Sequence, residues 1–188
     1  AIILNPQDAD ACVACVEAAD EAGIPVFGVN TMVNTDKLTA YVGSQDVGAG
    51  EEIMQQMIDY METDTFNIVV LEGPMGQSAL QRWEGINNVL KENPGIEILA
   101  YDTANWSRSE AMTLMETWLT TYGDEIDAVV SENDEMALGA RQAIEDGGYD
   151  IPCIGIDGIT DAVAAVKEGR MIASDFQDAE GQISGAID

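Results

Sequence analysis

Six polar or aromatic side chains follow apolar, strand-like segments at points where the chain turns into a helix. Amide side chains both donate and accept hydrogen bonds, a carboxylate accepts, and a guanidinium donates in a planar fork. The adjacent hydroxyl groups of a small polyhydroxy compound need this mixture, and an indole ring offers a flat apolar face. The six residues are Asn30, Arg82, Trp106, Asn133, Asp157 and Gln177.

The stretch Val129–Leu138 shows how such side chains are positioned. It begins with β-branched residues that suit a buried strand, continues through five polar residues, and then becomes good helix sequence. A polar cluster between a buried strand and a helix lies at the carboxyl edge of a parallel sheet. Ligands of open α/β folds bind at that edge.

Each of these residues also has a plain structural explanation. Asn30 and Asn133 could be turn or cap residues, and Asp157 before a glycine could form only a turn. Arg82 could pair with a glutamate at the surface, and Trp106 could pack in the core, as we expect for Trp83 and Trp118. The binding hypothesis therefore depends on the convergence of these side chains at one sheet edge.

Catalysis, metal binding and a cofactor are not expected. The chain has no histidine, which removes the commonest general base, and neither a GxSxG nor a metal motif is present. Cys12 and Cys15 form a CxxC inside a predicted helix from Ala9 to Ala22. Without a second CxxC or a histidine, buried packing is favoured over a zinc site, and a redox pair is the remaining alternative.

The net charge is −28, from 35 acidic and 7 basic residues. Nucleic-acid binding depends on basic side chains that neutralise phosphates, so this charge argues against nucleic acid as a partner. It also argues against a phosphorylated ligand unless a local basic pocket exists. We interpret the acidity as a contribution to solubility, or as adaptation to a salty or acidic habitat.

Apolar strand segments alternate with helical segments of roughly 10–15 residues along the chain. This order predicts right-handed βαβ crossovers and therefore an α/β fold with parallel sheet. The first residues lie inside an apolar strand and the last ones inside a helical pattern, so we expect a fragment of a longer protein.

Several motifs resemble those of the ribose/galactose-type periplasmic sugar-binding proteins of bacterial ABC importers, which share their fold with the effector domains of LacI-type repressors. Asn133–Ala140, which begins Asn-Asp-Glu-Met-Ala-Leu-Gly, and Gly155–Gly158 about twenty residues later are specific for this superfamily. Further matching segments are Leu4–Ala11, Gly23–Val26 and Arg82 with Glu84-Gly85. The resemblance spans nearly the whole chain.

The resemblance implies a type I periplasmic-binding-protein fold, in which two Rossmann-like lobes of parallel sheet flanked by helices close on a ligand through a hinge. Ser44-Gln45 and Gln177-Asp178 would be two of the hinge crossings. Residues 1–44 would form the rear part of the N-terminal lobe, residues 45–177 the C-terminal lobe, and residues 178–188 a return segment. The start of the N-terminal lobe and the end of the chain would be missing.

The resemblance also implies ligand-binding roles for the six residues above, and for Ser44. Arg82, Asn133 and Asp157 would bond hydroxyl groups, Trp106 would stack, Asn30 would complete the other wall, and Gln177 would lie beside the hinge. Asp134 would cap the helix after Asn133, while Glu132 and Glu135 would be solvated or structural. Ribose binders typically carry Asp-Arg where Asn30-Thr31 stands, so a pentose, hexose, cyclitol or sugar alcohol all stay open.

The implied function is that of an extracytoplasmic receptor, periplasmic or extracellular and with a signal peptide or lipid anchor. As a monomer, it would deliver a sugar or polyol to a membrane ABC permease. One alternative is the effector domain of a LacI-type repressor, which predicts a helix-turn-helix before residue 1. Another is the sensor domain of a kinase or chemoreceptor.

Overall fold

The computed structural model describes residues 1–6 and 8–187. Numbered in chain order, its strands and helices are β1 (Ile2–Leu4), α1 (Val13–Glu21), β2 (Val26–Val29), β3 (Ala40–Val42), α2 (Asp46–Met61), β4 (Phe66–Glu72), α3 (Gln77–Glu92), β5 (Ile96–Thr103), α4 (Arg108–Tyr122), β6 (Ala128–Ser131), α5 (Asp134–Asp146), β7 (Cys153–Asp157), α6 (Thr160–Lys167), β8 (Ala173–Phe176) and α7 (Ala179–Ile187). A short 3-10 helix, Gly123–Glu125, precedes β6.

These elements form two compact units. The first comprises Ala1–Gln45, Gly76–Ser78 and the stretch from Gln177 onward, and the second comprises Asp46–Met75 and Ala79–Phe176. The assignment of the units to an N-terminal lobe, a C-terminal lobe and a return segment stays a prediction. Gln7, part of the motif Leu4–Ala11, and Asp188, the last residue of the return segment, lie outside the described residues.

The second unit is built on a five-stranded parallel sheet in the order β5-β4-β6-β7-β8. All four residues of β6 are buried, as expected for a strand covered by helices on both faces. Val129 packs with residues of α4 and α5, whereas Val130 packs on the opposite face with residues of α2 and α3. The predicted α/β fold with parallel sheet and flanking helices is therefore confirmed.

The first unit contains a three-stranded parallel sheet in the order β1-β2-β3. Its small core includes Val16 from α1, Val26 from β2 and Val33 from the following loop. No helix in the part of the chain that the structure describes is both long and apolar enough to span a membrane.

Helix α1 begins later than the alanine-rich sequence predicts, at Val13 instead of Ala9. Oδ1 of Asp8 accepts the N–H groups of Asp10 and Ala11 at 2.9 and 2.8 Å. This side chain thus stabilises a turn that competes with helix at these positions. This turn explains why the predicted start of the helix at Ala9 was wrong.

The CxxC consequently lies at the beginning of α1 and not in its middle. Cys12 precedes the first helical residue and is half-buried, whereas Cys15 is exposed. The prediction of buried packing is therefore wrong for Cys15. Cys153, in contrast, is fully buried in the larger core.

Helices α4 and α5 approach each other closely at Gly139. A methyl group added there would overlap with the main-chain oxygen of Arg108. A methyl group at Gly185 in α7 would make only ordinary contacts with Val42. Only glycine allows the observed approach of α4 and α5, whereas α7 has room for alanine.

We expect Gly139→Ala to lower the free energy of unfolding by about 1–3 kcal/mol, because the overlap with backbone outweighs the gain in helix propensity. Gly185→Ala is the matched control and should be neutral or stabilising by up to about 1 kcal/mol. Urea denaturation of both variants measures the difference. Equal stability of Gly139→Ala and the parent protein would show that the helices can separate at little cost.

Candidate functional site

Arg82 on α3 lies at the centre of a polar cluster in the second unit. Its Nε donates to Oδ1 of Asp46 at 2.9 Å, and its Nη1 donates to the main-chain oxygen of Glu132. Nη1 also lies 3.7 Å from Oδ1 of Asp157. Because Arg82 is only 4% exposed, the surface pairing considered from the sequence is wrong. The guanidinium instead joins α2 to the carboxyl ends of β6 and β7.

Two glycines bring α2 close enough for this contact. A methyl group added at Gly50 of α2 would overlap with the main-chain oxygen of Arg82, and one at Gly85 of α3 would overlap with that of Val47. The two helices therefore touch backbone to backbone. This close approach places Asp46, the first residue of α2, beside the guanidinium of Arg82.

Asp157 ends β7 in an unusual backbone conformation, with φ of 129°. A residue other than glycine is strained there by roughly 1–3 kcal/mol, and strain of this kind is concentrated at functional sites. Its side chain is 24% exposed, so the carboxyl group is accessible to a ligand. The pKa of Asp157 is raised to about 7, mainly by burial, with Arg82 lowering it and Asp134, Asp46 and Glu135 contributing to the rise.

The indole ring of Trp106 lies against Gly73, where an added methyl group would overlap with ring atom Cζ2. Cζ of Arg82 is 5.6 Å from the ring centroid, which is within the range of a cation–π interaction. Trp106 is half-buried and, like the preceding Asn105, has a positive φ. The ring is thus held in a strained turn beside the guanidinium.

The other two tryptophans have packing roles, as predicted. Trp83 stacks on Tyr101 with ring centroids 5.1 Å apart. Trp118 is buried in the core that α4 and α5 share with the sheet.

Helix α5 is capped by Asn133 and not by Asp134, so the predicted cap is wrong. Asn133 is extended, and its Oδ1 accepts the N–H of Met136 at 2.9 Å. Oδ2 of Asp134 instead accepts the N–H of Ile159 at 3.0 Å and the hydroxyl of Ser174 at 2.7 Å. The cap uses the oxygen of the Asn133 amide, so the predicted contact to a hydroxyl group would come from Nδ2.

Glu132 is fully buried, so the solvated alternative considered from the sequence is wrong. Its Oε2 accepts the N–H of Gly73 at 2.8 Å, while its Oε1 has no partner among the residues that the structure describes. Burial raises the pKa of Glu132 to about 8. Glu135 is partly exposed and pairs with Arg108 at 2.7 Å.

A second cluster, in the first unit, contains the remaining predicted residues. Nε2 of Gln177 donates to Oδ1 of Asn30 at 2.6 Å and to the hydroxyl of Ser44 at 2.9 Å. Nε2 of the buried Gln182 also donates to the hydroxyl of Ser44, at 2.6 Å. Asn30 has a φ of 63°, as predicted for a turn residue.

Sequence reasoning did not identify Asp46, Glu132 or Gln182 as part of these clusters. Asp46 follows Ser44-Gln45 at the start of an amphipathic helix, a position that also suits an ordinary helix-terminal acid. Gln182 lies inside the last helical pattern. No local pattern in the sequence distinguishes these residues from solvated ones.

Residues 1–188 match the family described as "Periplasmic binding protein domain". A xylitol-binding protein of Mycolicibacterium smegmatis is 42% identical over 189 residues, which cover 100% of this chain and 54% of that protein. The ribose import binding protein of Bacillus subtilis is 34% identical over 181 residues, which cover 96% of this chain and 58% of that protein.

Among solved structures, an ABC transporter solute binding protein from Bacillus halodurans C-125 with bound myo-inositol is similar, with a TM-score of 0.93 and 39% identity. The match covers 100% of this chain and 66% of that one. The chain therefore belongs to the periplasmic binding protein family, as the resemblance predicted. It spans about half to two thirds of the length of these relatives.

Removal of one partner of the buried ion pair should have a measurable cost in stability. We expect Asp46→Asn to lower the free energy of unfolding by about 3 kcal/mol, because it leaves the buried guanidinium of Arg82 without its nearest counter-charge. Glu135→Gln breaks an exposed pair of similar length and should cost less than about 1 kcal/mol. Urea denaturation would contradict the expectation if both variants lost the same stability.

Proposed function

We propose that this chain forms the ligand-binding part of an extracytoplasmic receptor, which captures a monosaccharide, cyclitol or sugar alcohol and delivers it to an ABC permease. One observation carries the proposal. A guanidinium, a carboxylate and an indole ring meet at the carboxyl end of the second sheet, in Arg82, Asp157 and Trp106.

The chemistry of these three groups suits vicinal hydroxyl groups on a carbon skeleton. The carboxylate of Asp157 can accept two hydroxyl groups, while the fixed guanidinium of Arg82 donates. The ring of Trp106 covers the C–H face of the ligand. Two of the three residues have strained backbones, which supports a binding role over a packing role.

The charge of the cluster favours a neutral ligand. Carboxyl groups of Asp46, Glu132, Asp134 and Asp157 outnumber the one guanidinium among them. A phosphate group would meet this acidic surplus, whereas hydroxyl groups would not. The named relatives fit this chemistry, since xylitol, ribose and myo-inositol are all neutral polyhydroxy compounds.

We extend the proposal to Asn133 and, in the first unit, to Asn30, Ser44 and Gln177. Their amide and hydroxyl groups both donate and accept, which matches the hydrogen-bonding capacity of alcohols. Closure of two lobes around the ligand stays a prediction from the family resemblance.

The relatives named above are solute-binding proteins, which favours a receptor over a LacI-type repressor domain. The net charge of −28 supports the same choice, because it opposes binding to a phosphate backbone. We further propose that the receptor acts as a monomer outside the cytoplasmic membrane and that it catalyses no reaction.

A thermal-shift screen tests the ligand class. We expect myo-inositol, xylitol or ribose to raise the Tm of the full-length protein, with a stabilisation of about 2.7 kcal/mol at a hundredfold excess over Kd. An inositol phosphate is the charged control and should have no effect. A shift with a nucleotide or an amino acid, and with none of the polyols, would overturn the proposal.

The raised pKa of Asp157 predicts an acid limb in the affinity profile. As the pH falls through about 7, Asp157 takes up a proton, and its charge-assisted bonds to ligand hydroxyl groups are lost. The affinity should fall by about tenfold for each pH unit below that value. Isothermal titration calorimetry at several pH values measures this limb.

Asp157→Asn should bind weakly at every pH and should lack the acid limb, because its side chain carries no titratable group. Asp150→Asn is the matched control, since Asp150 is an exposed carboxylate before the opposite end of β7. An acid limb that persists in Asp157→Asn would assign the titration to another group.

A further inference from the structure

Glu132 follows directly on β6 and makes contacts in three directions. Its N–H donates to the main-chain oxygen of Leu71 at 3.0 Å, which links β6 to β4 beyond the last paired residue. Its main-chain oxygen accepts from Arg82, and its Oε2 accepts from the N–H of Gly73. One residue thus joins the ends of two central strands to the guanidinium.

The chain between β4 and α3 begins at Gly73, and this segment, the Gly73 turn, is bound by Glu132 and supports the Trp106 ring. The ring lies directly on Gly73, and the hydroxyl of Thr103 donates to the main-chain oxygen of Gly73 at 2.8 Å. The N–H of Ala104 donates to the main-chain oxygen of Glu72 at 3.0 Å. A displacement of Gly73 would therefore displace the aromatic face that we assign to the ligand.

The surroundings of the Glu132 side chain disfavour a negative charge. The carboxyl group is fully buried, and Oε1 has no partner in the described part of the chain. The charged groups that face it are Glu72 on β4, Asp46 on α2 and Arg82 on α3. The two acids oppose ionisation. The N–H of Gly73 favours it, as does the guanidinium of Arg82, which is already paired with Asp46.

We propose that Glu132 is a positioning residue that acts as a neutral carboxylic acid, holding the Gly73 turn and with it the Trp106 ring in the geometry that binds a polyol. The assignment rests on the proposed function of the neighbouring site. Burial raises the pKa of Glu132 from 4.5 to about 8, against the lowering effects of the Gly73 N–H and Arg82 and with smaller rises from Glu72 and Asp46. Above that pH, a buried carboxylate would draw in water and loosen the turn.

The affinity for myo-inositol should therefore have an alkaline limb, falling by about tenfold for each pH unit above about 8. Glu132→Gln keeps an acceptor for the N–H of Gly73 and cannot ionise. It should bind within about threefold of the parent protein at neutral pH, and its alkaline limb should be absent. Glu132→Ala loses the acceptor and should weaken binding at least about tenfold at every pH.

Calorimetric titration of the full-length protein between about pH 6 and about pH 9 decides this, since that range brackets the titration. Glu116→Gln, an exposed carboxylate on α4, is the control and should keep the alkaline limb. An alkaline limb that persists in Glu132→Gln would overturn the proposal. So would weak binding of Glu132→Gln at neutral pH, because the neutral side chain would then not suffice.

A ligand-free measurement separates this proposal from the proposed function. The fluorescence of Trp106, taken as the difference between the parent protein and Trp106→Phe, should change as the pH rises through about 8. The change should vanish in Glu132→Gln. If no polyol binds but the change is present, the ligand assignment fails while the positioning role stands. If the change is absent, the positioning role fails.

Discussion

The buried ion pair between Arg82 and Asp46 is the interaction on which the candidate site depends. Removing two charges from water costs several kcal/mol for each ion, so such a pair contributes little net stability. The pair instead fixes the position of the guanidinium, whose N–H groups point in set directions and donate to both Asp46 and the main chain of Glu132. The same group can therefore reach the end of β6 and the carboxylate of Asp157. Gly50 and Gly85 make this possible, since larger residues would push α2 away from α3.

The cluster contains more acids than cations, and this imbalance determines its properties. Where carboxyl groups are buried together, one guanidinium cannot neutralise all of them, so protons must balance the remainder. Glu132 and Asp157 both have a raised pKa, but their surroundings differ. Glu132 is buried and accepts a hydrogen bond from the protein backbone, whereas Asp157 is partly accessible and, as we propose, binds the ligand. Different degrees of burial thus suit the two carboxyl groups to the different roles that we propose for them.

The fold could be predicted from the sequence because the strands are continuous apolar runs and the helices between them are amphipathic. The motif Asn133–Ala140 with Gly155–Gly158 was sufficient to identify the family. The choice of cap was not predictable, since Asn and Asp cap helices equally well and stand side by side at 133 and 134. The burial of Asp46 and Glu132 was not predictable either. It depends on Arg82, which lies 36 and 50 positions away from them in the sequence.

The positive φ of Asp157 would influence which residue evolution retains at this position. A glycine would adopt its φ of 129° without strain. Selection for thermal robustness alone would therefore favour glycine at this position, and the carboxylate would be lost. That an acid occupies it is what one expects where binding has been maintained at the expense of stability. If Asp157 binds the ligand as we propose, the strained end of β7 marks a trade-off between stability and ligand binding.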